Sequence, residues 1–569
     1  MTIGHFQSFD NTELFYREWS PLVPNGKIAL LLHRGHEHSL RLDPIARSAI
    51  FEGFKVFSYD NRGHGYTRAE ATFEFMNLVR DLDAFVHFVC AKEGKNTENI
   101  FVVANSVAGV VASTWVHDFA PRIAGMALVA PAFAIKLYIP LAKPSLDLMI
   151  RLNPRMNIKS YVKAKFLTHN TIEQERYNTD PLITPNIPVR QLVTLLDTAK
   201  RVVEDASHIV TPTLVLSATS DYVVKNRIQK VFYDRLSSPL KRFVVLEGFY
   251  HGVLYEAEAH KAIHEIDVFM RECFNTSTSD QSTQLTALTQ KEKEKIANGE
   301  ITASQKLSFG LQRFMLNQFG WMSDGMKIGL RYGFDSGVTL DYVYKNIPSG
   351  VGMLGKISDK NYLESIGWKG IRQRKVHVIE TIREKINQLQ REGKAVKILD
   401  IAGGPARYLI EIAENFSDVE VLVRDYQEQN VVQGRALARE RGLSNIRYEQ
   451  SDAFNADNYD RSLYEPNIVI VSGVFELFEE NTLIQNAIEG ITSIIASDGC
   501  LIYTGQPWHP QLEQIAHVLK NHHQDRWIMR RRSQYELDTL FTKNGFIKEG
   551  MRIDDWGIFT VSSARIRSH

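Results

Sequence analysis

The stretch Phe101–Gly109 (FVVANSVAG) constrains the first half of this chain most strongly. The apolar run Ile100–Ala104 predicts a buried strand, and Val110–Trp115 predicts the start of a helix. A strand, a sharp turn carrying Ser106 and a helix are the local context that exposes a serine hydroxyl at the top of a sheet. A helix N-terminus beside that hydroxyl stabilises negative charge. The turn alone does not separate a nucleophile from an ordinary strand-to-helix connection.

Short apolar runs alternate with helical patterns through the rest of the first 275 residues. This alternation predicts a doubly wound, mostly parallel α/β sheet. The segment from Pro131 to about His208 interrupts the pattern. The predicted strands are Ile3–Ser8 and Glu13–Trp19 as an edge hairpin, then Lys27–Leu32, Phe54–Tyr59, Ile100–Ala104, Gly125–Val129, Thr213–Leu216 and Arg242–Leu246.

Six motifs in this half occur in the order typical of one family. They are LLHRGHEHS at Leu31–Ser39, YDNRGHG at Tyr59–Gly65, ANSVAG at Ala104–Gly109, DPL at Asp180–Leu182, TPTLVLSATSDYVV at Thr211–Val224 and LEGFYHGVLYE at Leu246–Glu256. Together they resemble the α/β-hydrolases, closest to the monoglyceride lipase and lysophospholipase branch. The resemblance implies a hydrolase domain over residues 1–275, with a helical cap over about 131–208.

Acyl transfer requires a nucleophile, a base that takes its proton and a carboxylate that orients the base. The resemblance assigns these roles to Ser106, His251 and Asp221. The order Ser, Asp, His along the chain is the one that this fold uses. The backbone N–H groups of Gly35 and Val107 are the implied oxyanion donors.

Three residues depart from the family pattern. Arg34 stands where the family usually has glycine, and Ala104 and Ala108 replace the two glycines around the nucleophile. These changes could narrow or disable the oxyanion hole. An alternative is therefore a hydrolase-fold domain without catalysis, which binds or recruits an acyl ligand.

Two further sets of residues in these loops have other interpretations. Arg62 and His64 are predicted to tie loops together near the site. The second set comprises His33, His36, His38 and Glu37. These residues could form a metal site, but their close spacing in one loop disfavours a metal.

The middle of the chain carries the predicted domain boundary. Asn275–Thr286 is polar and low in complexity, which predicts a flexible linker, placed over 276–300. Residues 301–394 are predicted as a helical or irregular N-terminal part of a second domain. Within 301–330, apolar residues recur at helical spacing between cations. That pattern could lie on a membrane surface, but the periodicity favours packing on its own domain.

A second α/β pattern begins at Ala395–Leu399, a buried strand that runs into Asp400 and the turn Gly403-Gly404-Pro405. The turn lacks the spacing of a dinucleotide-binding loop. Pro405 also removes a backbone N–H that a phosphate would need. An acid before the turn would repel a pyrophosphate and suits a cofactor with a cationic amino group. The strands that follow are Val419–Val423, Ile446–Glu449, Asn467–Val471, Gly499–Thr504, Phe546–Arg552 and Gly557–Ser562.

Residues 395–569 resemble the core of class I S-adenosylmethionine-dependent methyltransferases. The resemblance implies that Asp400 faces the amino group of the cofactor, and that Asp425 accepts both ribose hydroxyls. It also implies that Asp452 accepts the adenine amino group. The complete implied cofactor set is Asp400, Gly403, Gly404, Asp425, Asp452, Ala453, Phe454, Ser472 and Gly473.

Other side chains near this predicted site carry weaker signals. His509 could act as a base for the methyl acceptor, although a histidine in a loop is common. Arg372 and Arg374 could bind an acidic group, and solvated charge is the favoured interpretation. The absence of an NPPY-like motif disfavours DNA-base methylation.

The whole chain is thus predicted to be α/β with two domains: a hydrolase sheet with a helical cap and a Rossmann-like class I methyltransferase sheet. The order resembles bacterial proteins in which a hydrolase is joined to such a methyltransferase. It implies a bifunctional serine ester hydrolase and S-adenosylmethionine-dependent methyltransferase, with small-molecule or lipid substrates. No metal is expected.

Composition limits the partners and the compartment. The formal net charge of +1 gives no argument for nucleic acid as a partner. The chain has neither an apolar stretch of about 18 residues nor a signal-peptide pattern at its N-terminus. Its three widely spaced cysteines suit a reducing compartment. We therefore expect a cytoplasmic protein, with membrane contact through 301–330 as the one peripheral option. The sequence does not predict the oligomeric state.

Overall fold

The computed structural model describes residues 1–68, 74–138, 142–276 and 280–567. Residues 139–141 of the predicted cap, 277–279 of the predicted linker and 568–569 at the C-terminus lie outside these ranges. The chain divides into two compact units, Met1–Asp280 and Gln281–His569.

The described part of the first unit contains a sheet of eight strands in the order β1-β2-β4-β3-β5-β6-β9-β10. The first two strands form an antiparallel edge hairpin, and β2 is also antiparallel to β4. The other pairs are parallel. The strands are β1 (Thr2–Gln7), β2 (Glu13–Trp19), β3 (Ile28–Leu32), β4 (Lys55–Tyr59), β5 (Ile100–Asn105), β6 (Gly125–Val129), β7 (Asn157–Lys159), β8 (Asn186–Pro188), β9 (Thr213–Ala218) and β10 (Lys241–Leu246).

Helices cover both faces of this sheet, and the central strands β3, β5, β6 and β9 are buried along their whole length. Such continuous apolar runs are typical of parallel strands that pack on both faces. The helices are α1 (Asp43–Ala46), α2 (Phe75–Glu93), α3 (Val107–Asp118), α4 (Ala142–Leu152), α5 (Thr171–Thr179), α6 (Val189–Glu204), α7 (Asn226–Arg235) and α8 (Ala259–Asn275).

The segment predicted as a cap contains α4, α5, α6 and the small antiparallel pair β7–β8. Helix α6 packs against α2, α3 and α4. Its buried face includes Leu192, Val193 and Leu195. This face fixes the segment beside the carboxyl ends of the parallel strands, where ligands of open α/β sheets bind.

The described part of the second unit contains a sheet of seven strands in the order β13-β12-β11-β14-β15-β17-β16. Strands β11 to β15 are parallel, whereas β17 is antiparallel to both of its neighbours. The strands are β11 (Val396–Ile401), β12 (Val419–Asp425), β13 (Ile446–Gln450), β14 (Ile468–Val471), β15 (Cys500–Gly505), β16 (Phe546–Ile553) and β17 (Thr560–Ile566).

The helices of the second unit precede the sheet or alternate with its strands. The last predicted strand begins later than expected, because Asp554 accepts hydrogen bonds from the backbone of Trp556 and Ile558 and folds that stretch into a loop. The helices are α9 (Ser282–Ala297), α10 (Ala303–Phe319), α11 (Asp324–Tyr332), α12 (Gly337–Lys345), α13 (Gly352–Leu363), α14 (Ile366–Arg391), α15 (Arg407–Asn415), α16 (Glu428–Glu440), α17 (Asn481–Ile494), α18 (Leu512–Val518) and α19 (Gln534–Lys543).

Helix α9 corrects the prediction of a flexible linker over 276–300. Leu285 is fully buried, and the Thr289 hydroxyl donates to the carboxylate of Glu536 at 2.9 Å. Glu536 also pairs with Arg530 at 2.5 Å, and both side chains are almost completely buried. Thr286, at the end of the polar stretch, donates to the same carboxylate at 3.1 Å, so two threonines are hydrogen-bonded to a buried ion pair. Helix α9 is an integral part of the second unit.

Helix α10 corrects the expectation that 301–330 packs its apolar stripe on its own domain. The helix is described throughout, and none of its residues is buried. Leu307, Leu311 and Phe314 are 77%, 62% and 56% exposed. The periodicity predicted the helix correctly, but not the direction in which its apolar face points.

Candidate active sites

Ser106 lies at the turn between β5 and α3 in a backbone conformation that non-glycine residues rarely adopt, with φ 55° and ψ −112°. The strain is held by backbone hydrogen bonds from Ser106 N–H to Val129 and from Ala132 N–H to Ser106, at 2.9 and 3.0 Å. A side chain at Gly109 would place its Cβ 2.8 Å from Pro131. The close approach of the backbone at Pro131 therefore requires glycine at 109. The turn accommodates Ala104 and Ala108.

Three distant loops bring the predicted triad together. The Ser106 hydroxyl and His251 Nε2 are 2.7 Å apart, and His251 Nδ1 lies 2.7 Å from Asp221 Oδ2. All three side chains are buried. This arrangement allows His251 to accept a proton from Ser106 while Asp221 fixes the ring through the Nδ1–H.

Asp221 is held as a carboxylate. Burial by itself would raise its pKa, but the charge and hydrogen bond of His251 and the backbone N–H groups of Val223 and Val224 offset burial and lower the pKa. Those two N–H groups donate to Oδ1 at 2.7 and 2.9 Å. The second oxygen is thereby left for the histidine.

The two predicted oxyanion residues lie beside the nucleophile. Gly35 and Val107 line the same cavity as Ser106 and His251. A Cβ built on Gly35 would lie 3.4 Å from the Val107 side chain, so the two backbones are close neighbours. Val107 is the first residue of α3, and its N–H is one of the groups without a partner inside the helix.

Arg34 is buried against this site. Its Nη2 donates to Glu37 at 2.7 Å, and its guanidinium lies 4.7 Å from the ring centre of Tyr255. Nε and Nη1 have no hydrogen-bond partner among the described residues. The ion pair with Glu37 explains how a cation is tolerated where the family usually has glycine.

The cavity above Ser106 has a volume of about 420 Å³. It is enclosed by the core on one side and by the cap segment on the other. Its apolar lining includes Leu146, Met149, Ile187, Leu192 and Leu195. This lining fits a hydrophobic acyl chain better than a polar one.

The surrounding loop residues are tied by hydrogen bonds. His38 Nε2 lies 2.9 Å from Asp180, His36 Nδ1 lies 2.7 Å from the Thr184 carbonyl, and His33 Nε2 accepts from Asn61 N–H at 3.0 Å. Arg62 pairs with Asp81 and Asp10 at 2.6 and 2.7 Å. His64 Nε2 accepts from His36 N–H at 3.3 Å, and burial lowers the pKa of its ring to about 4. Each of these side chains therefore positions a loop.

In the second unit, Asp400 is the second-last residue of β11 and is fully buried. The Tyr408 hydroxyl donates to Oδ2 at 2.5 Å, while Oδ1 has no hydrogen-bond partner among the described residues. Burial raises the pKa of Asp400 to about 8. The Tyr408 hydrogen bond lowers this pKa, and the charge of Asp425 raises it further. A Cβ at Gly403 would lie 2.2 Å from this carboxylate, so glycine is required there.

The acids after the next two strands are engaged in local turns. Asp425 Oδ2 accepts from Gly404 N–H, and Oδ1 accepts from Gln427 N–H and the Asn430 amide, each at 2.9 Å. A carboxylate offers about four acceptor positions, so one remains for a ligand. Asp452 Oδ1 accepts from Phe454 N–H at 2.9 Å, which orders the turn containing Ala453.

Sequence reasoning missed Glu476, the buried acid that pairs with Arg374 next to Gly473. Gly473 has φ 75°, and its N–H donates to Thr504 at 2.8 Å. A Cβ there would lie 3.1 Å from Arg374, whose guanidinium is 3.9 Å from Glu476. Neither carboxylate oxygen of Glu476 has a hydrogen-bond partner among the described residues. No local pattern marks Glu476, because it enters the site only through the fold of the β14 loop.

A second apolar cavity, of about 540 Å³, opens beside Gly473, Ser365 and His509. Burial lowers the pKa of His509 to about 3, so its ring is neutral at pH 7. Its Nδ1 accepts from Gln511 N–H at 3.0 Å, which places the remaining proton on Nε2. The ring can therefore donate a hydrogen bond at Nε2 but is unsuited to the role of base considered from the sequence.

Fold and site together define the class of protein. The first unit is an α/β-hydrolase of lipase-like type, and the second has the sheet order and the acidic strand ends of a methyltransferase. Among the described residues, no helix combines the length and apolarity needed to cross a bilayer.

Comparisons with known proteins agree with this assignment. The chain belongs to the family described as "Putative methyltransferase", whose model matches residues 266–566. The model described as "Serine aminopeptidase, S33" matches residues 24–258. The predicted resemblance and the predicted fold class are thereby confirmed.

Individual relatives cover either the whole chain or its first half. A protein of Escherichia coli (strain K12) named "Uncharacterized protein YnbC" is 42% identical and covers 98% of this chain and 97% of its own. Human monoglyceride lipase is 24% identical over 47% of this chain and 90% of its own. The crystal structure of Paleococcus ferrophilus monoacylglycerol lipase, at 20% identity and a TM-score of 0.42, covers 46% of this chain and 99% of that chain.

Proposed function

We propose that the first unit is a serine ester hydrolase that acts on an acyl ester of the monoglyceride or lysophospholipid class. The hydrogen-bonded chain Ser106–His251–Asp221 is the observation that supports this most directly. The assembled triad favours catalysis over the alternative of a hydrolase-fold domain that only binds or recruits an acyl ligand.

The geometry supports a two-step acyl transfer. The Ser106 oxygen attacks the ester carbonyl as His251 Nε2 takes its proton, and the N–H groups of Gly35 and Val107 hold the resulting oxyanion. His251 then gives the proton to the leaving alkoxide, which departs as the alcohol and leaves an acyl-serine. Water, deprotonated by His251, then attacks the acyl-serine, and His251 returns that proton to the Ser106 oxygen as the fatty acid leaves. Losing one oxyanion donor raises such a barrier by about 3 kcal/mol.

We propose that the second unit binds S-adenosylmethionine and transfers its methyl group to a hydrophobic acceptor. The residues fit this cofactor. The Oδ1 of buried Asp400, which no described residue bonds, suits a cationic amino group, and Gly403 leaves the backbone open beside it. Asp425 would take one ribose hydroxyl on its remaining acceptor position. Asp452, Ala453 and Phe454 would hold the adenine.

The cofactor, when bound, supplies a sulfonium methyl group, and this chain supplies alignment. Ser472 and Gly473 would line that end of the pocket. His509 can donate a hydrogen bond from Nε2 to an acceptor oxygen, and the Glu476 carboxylate can take a proton from an acceptor that must lose one. Arg374 holds Glu476 in place.

Two experiments test the two halves separately. A fluorophosphonate probe should label the intact protein and fail to label Ser106→Ala. Labelling that persists in the variant, or none in the intact protein, would contradict the hydrolase proposal and favour the binding alternative.

Calorimetry with S-adenosylmethionine tests the second half. We expect binding that weakens at least about tenfold in Asp425→Ala, because the variant loses a charged acceptor of a ligand hydroxyl. Unaltered affinity would refute the assignment of this carboxylate. A lipid extract incubated with methyl-labelled cofactor would then identify the acceptor.

A further inference from the structure

Helix α10 leaves its apolar face largely exposed. Leu307, Leu311, Phe314, Met315 and Phe319 fall on one face at helical spacing. All are about half exposed or more, with Leu307 at 77% and Met315 at 48%. Trp321, two residues beyond the end of α10, is 55% exposed. Such a contiguous apolar surface is rare on a monomer without a function.

Polar contacts hold the other side of α10. Gln305 donates to Glu513, and Gln312 accepts from Gln514, at 2.6 and 2.7 Å. The Phe309 ring stacks on His517 with centroids 5.6 Å apart. The helix is therefore fixed against α18 by its polar side. Its apolar side is presented outwards by the packing itself.

The same apolar face is continuous with the apolar cavity of about 540 Å³ beside Gly473 and His509, where the acceptor of the proposed methyl transfer would lie. Leu311, Met315 and Phe319 line that cavity near α10, while Gly473 and Glu476 line it near the sheet. Leu307 and Phe314 lie on the same face and are not among the described residues that line the cavity. One helix surface thus leads from solvent to the site of methyl transfer.

The neighbouring helix α13 extends this surface. The Val351 N–H donates to the Met322 carbonyl at 2.9 Å, which ties the start of α13 to the turn after α10. On α13, Met353 and Leu354 are 79% and 71% exposed. We call the exposed apolar side chains of α10, Trp321 and α13 the outward face.

The exposed charge of this region is cationic. Over 303–363, which is described throughout, no aspartate is exposed. Asp359 is buried, and the other three, Asp324, Asp335 and Asp341, are half-buried and bonded to Ser349, His522 and Arg407 respectively. Every lysine and arginine there is exposed, namely Lys306, Arg313, Lys327, Arg331, Lys345, Lys356 and Lys360.

We propose that the outward face docks on an anionic lipid bilayer, and that the methyl acceptor is a lipid drawn from that bilayer along α10 into the cavity. Apolar side chains inserted at the headgroup boundary and cations beside anionic headgroups are the two contributions that hold peripheral proteins on membranes. The proposal that the acceptor is a membrane lipid rests on the proposed methyltransferase function, whereas the docking proposal does not.

The test uses the full chain and vesicles of phosphatidylethanolamine and phosphatidylglycerol. Co-sedimentation is compared between the wild type and Leu307→Glu/Phe314→Glu, which alters the outward face outside the cavity lining. The matched control is Leu463→Glu/Val432→Glu, since these side chains are 75% and 57% exposed, against 77% and 56% for the test pair. Unfolding temperatures of both variants check that each is folded.

We expect the wild type and the control to bind the vesicles, and the test variant to partition at least about tenfold less. Vesicles of phosphatidylcholine alone should bind less, and added salt should weaken binding to the anionic ones. Absence of vesicle binding by the wild type, or equal binding by the test variant, would overturn the docking proposal.

Two further readouts separate the other outcomes. If sedimentation velocity shows a wild-type dimer that the test variant converts to a monomer, without vesicle binding, the face is an interface between copies and the proposal fails. Vesicle binding without S-adenosylmethionine binding would refute the proposed function and leave the docking intact. Methyl transfer confined to water-soluble acceptors would overturn the lipid route.

Discussion

Asp400 should couple cofactor binding to the release of a proton. With a pKa raised to about 8, its carboxyl is neutral in about nine tenths of the free protein at pH 7. A cationic amino group beside Oδ1 favours the carboxylate, because opposite charges in a desolvated site stabilise each other. Binding of S-adenosylmethionine at pH 7 should therefore release close to one proton from Asp400.

The size of the pH effect on cofactor affinity follows from the raised pKa of Asp400. Between pH 6 and pH 7, the affinity should rise about tenfold, because each pH unit below the pKa costs about 1.4 kcal/mol to ionise the carboxyl. The rise should end near pH 8. Above it the cofactor's own α-amino group, with an ordinary pKa of about 7.7–8.0, loses its charge. Affinity should thus peak close to pH 8.

The same pKa shift affects the stability of the free protein with the opposite sign. The folded state binds more protons than the unfolded state between the ordinary aspartate pKa of about 3.9 and the folded value of about 8. The Asp400 contribution to the free energy of unfolding therefore declines as the pH rises through this range. Asp400→Asn should remove that decline.

Calorimetry in two buffers of different ionisation enthalpy measures the released proton directly. Asp400→Asn keeps the shape of the side chain and an acceptor for Tyr408. It should bind the cofactor about 10–100-fold more weakly at pH 8 and release no proton from this site. The exposed Asp457→Asn is the matched control and should behave as the wild type. Wild-type affinity that is flat from pH 6 to pH 8, with an equally tight Asp400→Asn, would refute the reasoning.

Three further outcomes are expected. Ser106→Ala should lower ester hydrolysis by at least about a thousandfold in a chromogenic ester assay while leaving the unfolding temperature nearly unchanged. Arg34→Leu should destabilise the first unit by about 3 kcal/mol in denaturant unfolding, since it leaves Glu37 buried without its closest cation, and Arg34→Leu/Glu37→Leu should recover most of that loss. Gly403→Ala should abolish cofactor binding in calorimetry, because its Cβ would lie 2.2 Å from Asp400, whereas Gly404→Ala meets open space and should cost only about 1–2 kcal/mol for its φ of 59°. Equal effects at the two glycines would contradict the close packing at Asp400.

Several elements could be predicted from the sequence because their signals are local. The buried strands β3, β5 and β6 are almost uninterrupted apolar runs. The two polar loops that carry Asp221 and His251 are predicted by the order of family motifs, and only the fold places them beside Ser106. The strand signals, by contrast, depend on residues that are close in the chain.

The tertiary structure alone decided what each surface packs against. The polar stretch Asn275–Thr286 resembles a linker, but its end lies in α9, and nothing nearby in the sequence indicates the buried Arg530–Glu536 pair that Thr286 and Thr289 bond. Likewise, Glu476 and Arg374 lie a hundred residues apart and meet only beside Gly473. The apolar stripe of α10 shows most clearly what periodicity does not predict. Periodicity establishes that one face of a helix is apolar, but whether that face is covered depends on distant side chains, here the polar ones of α18 that hold the opposite side.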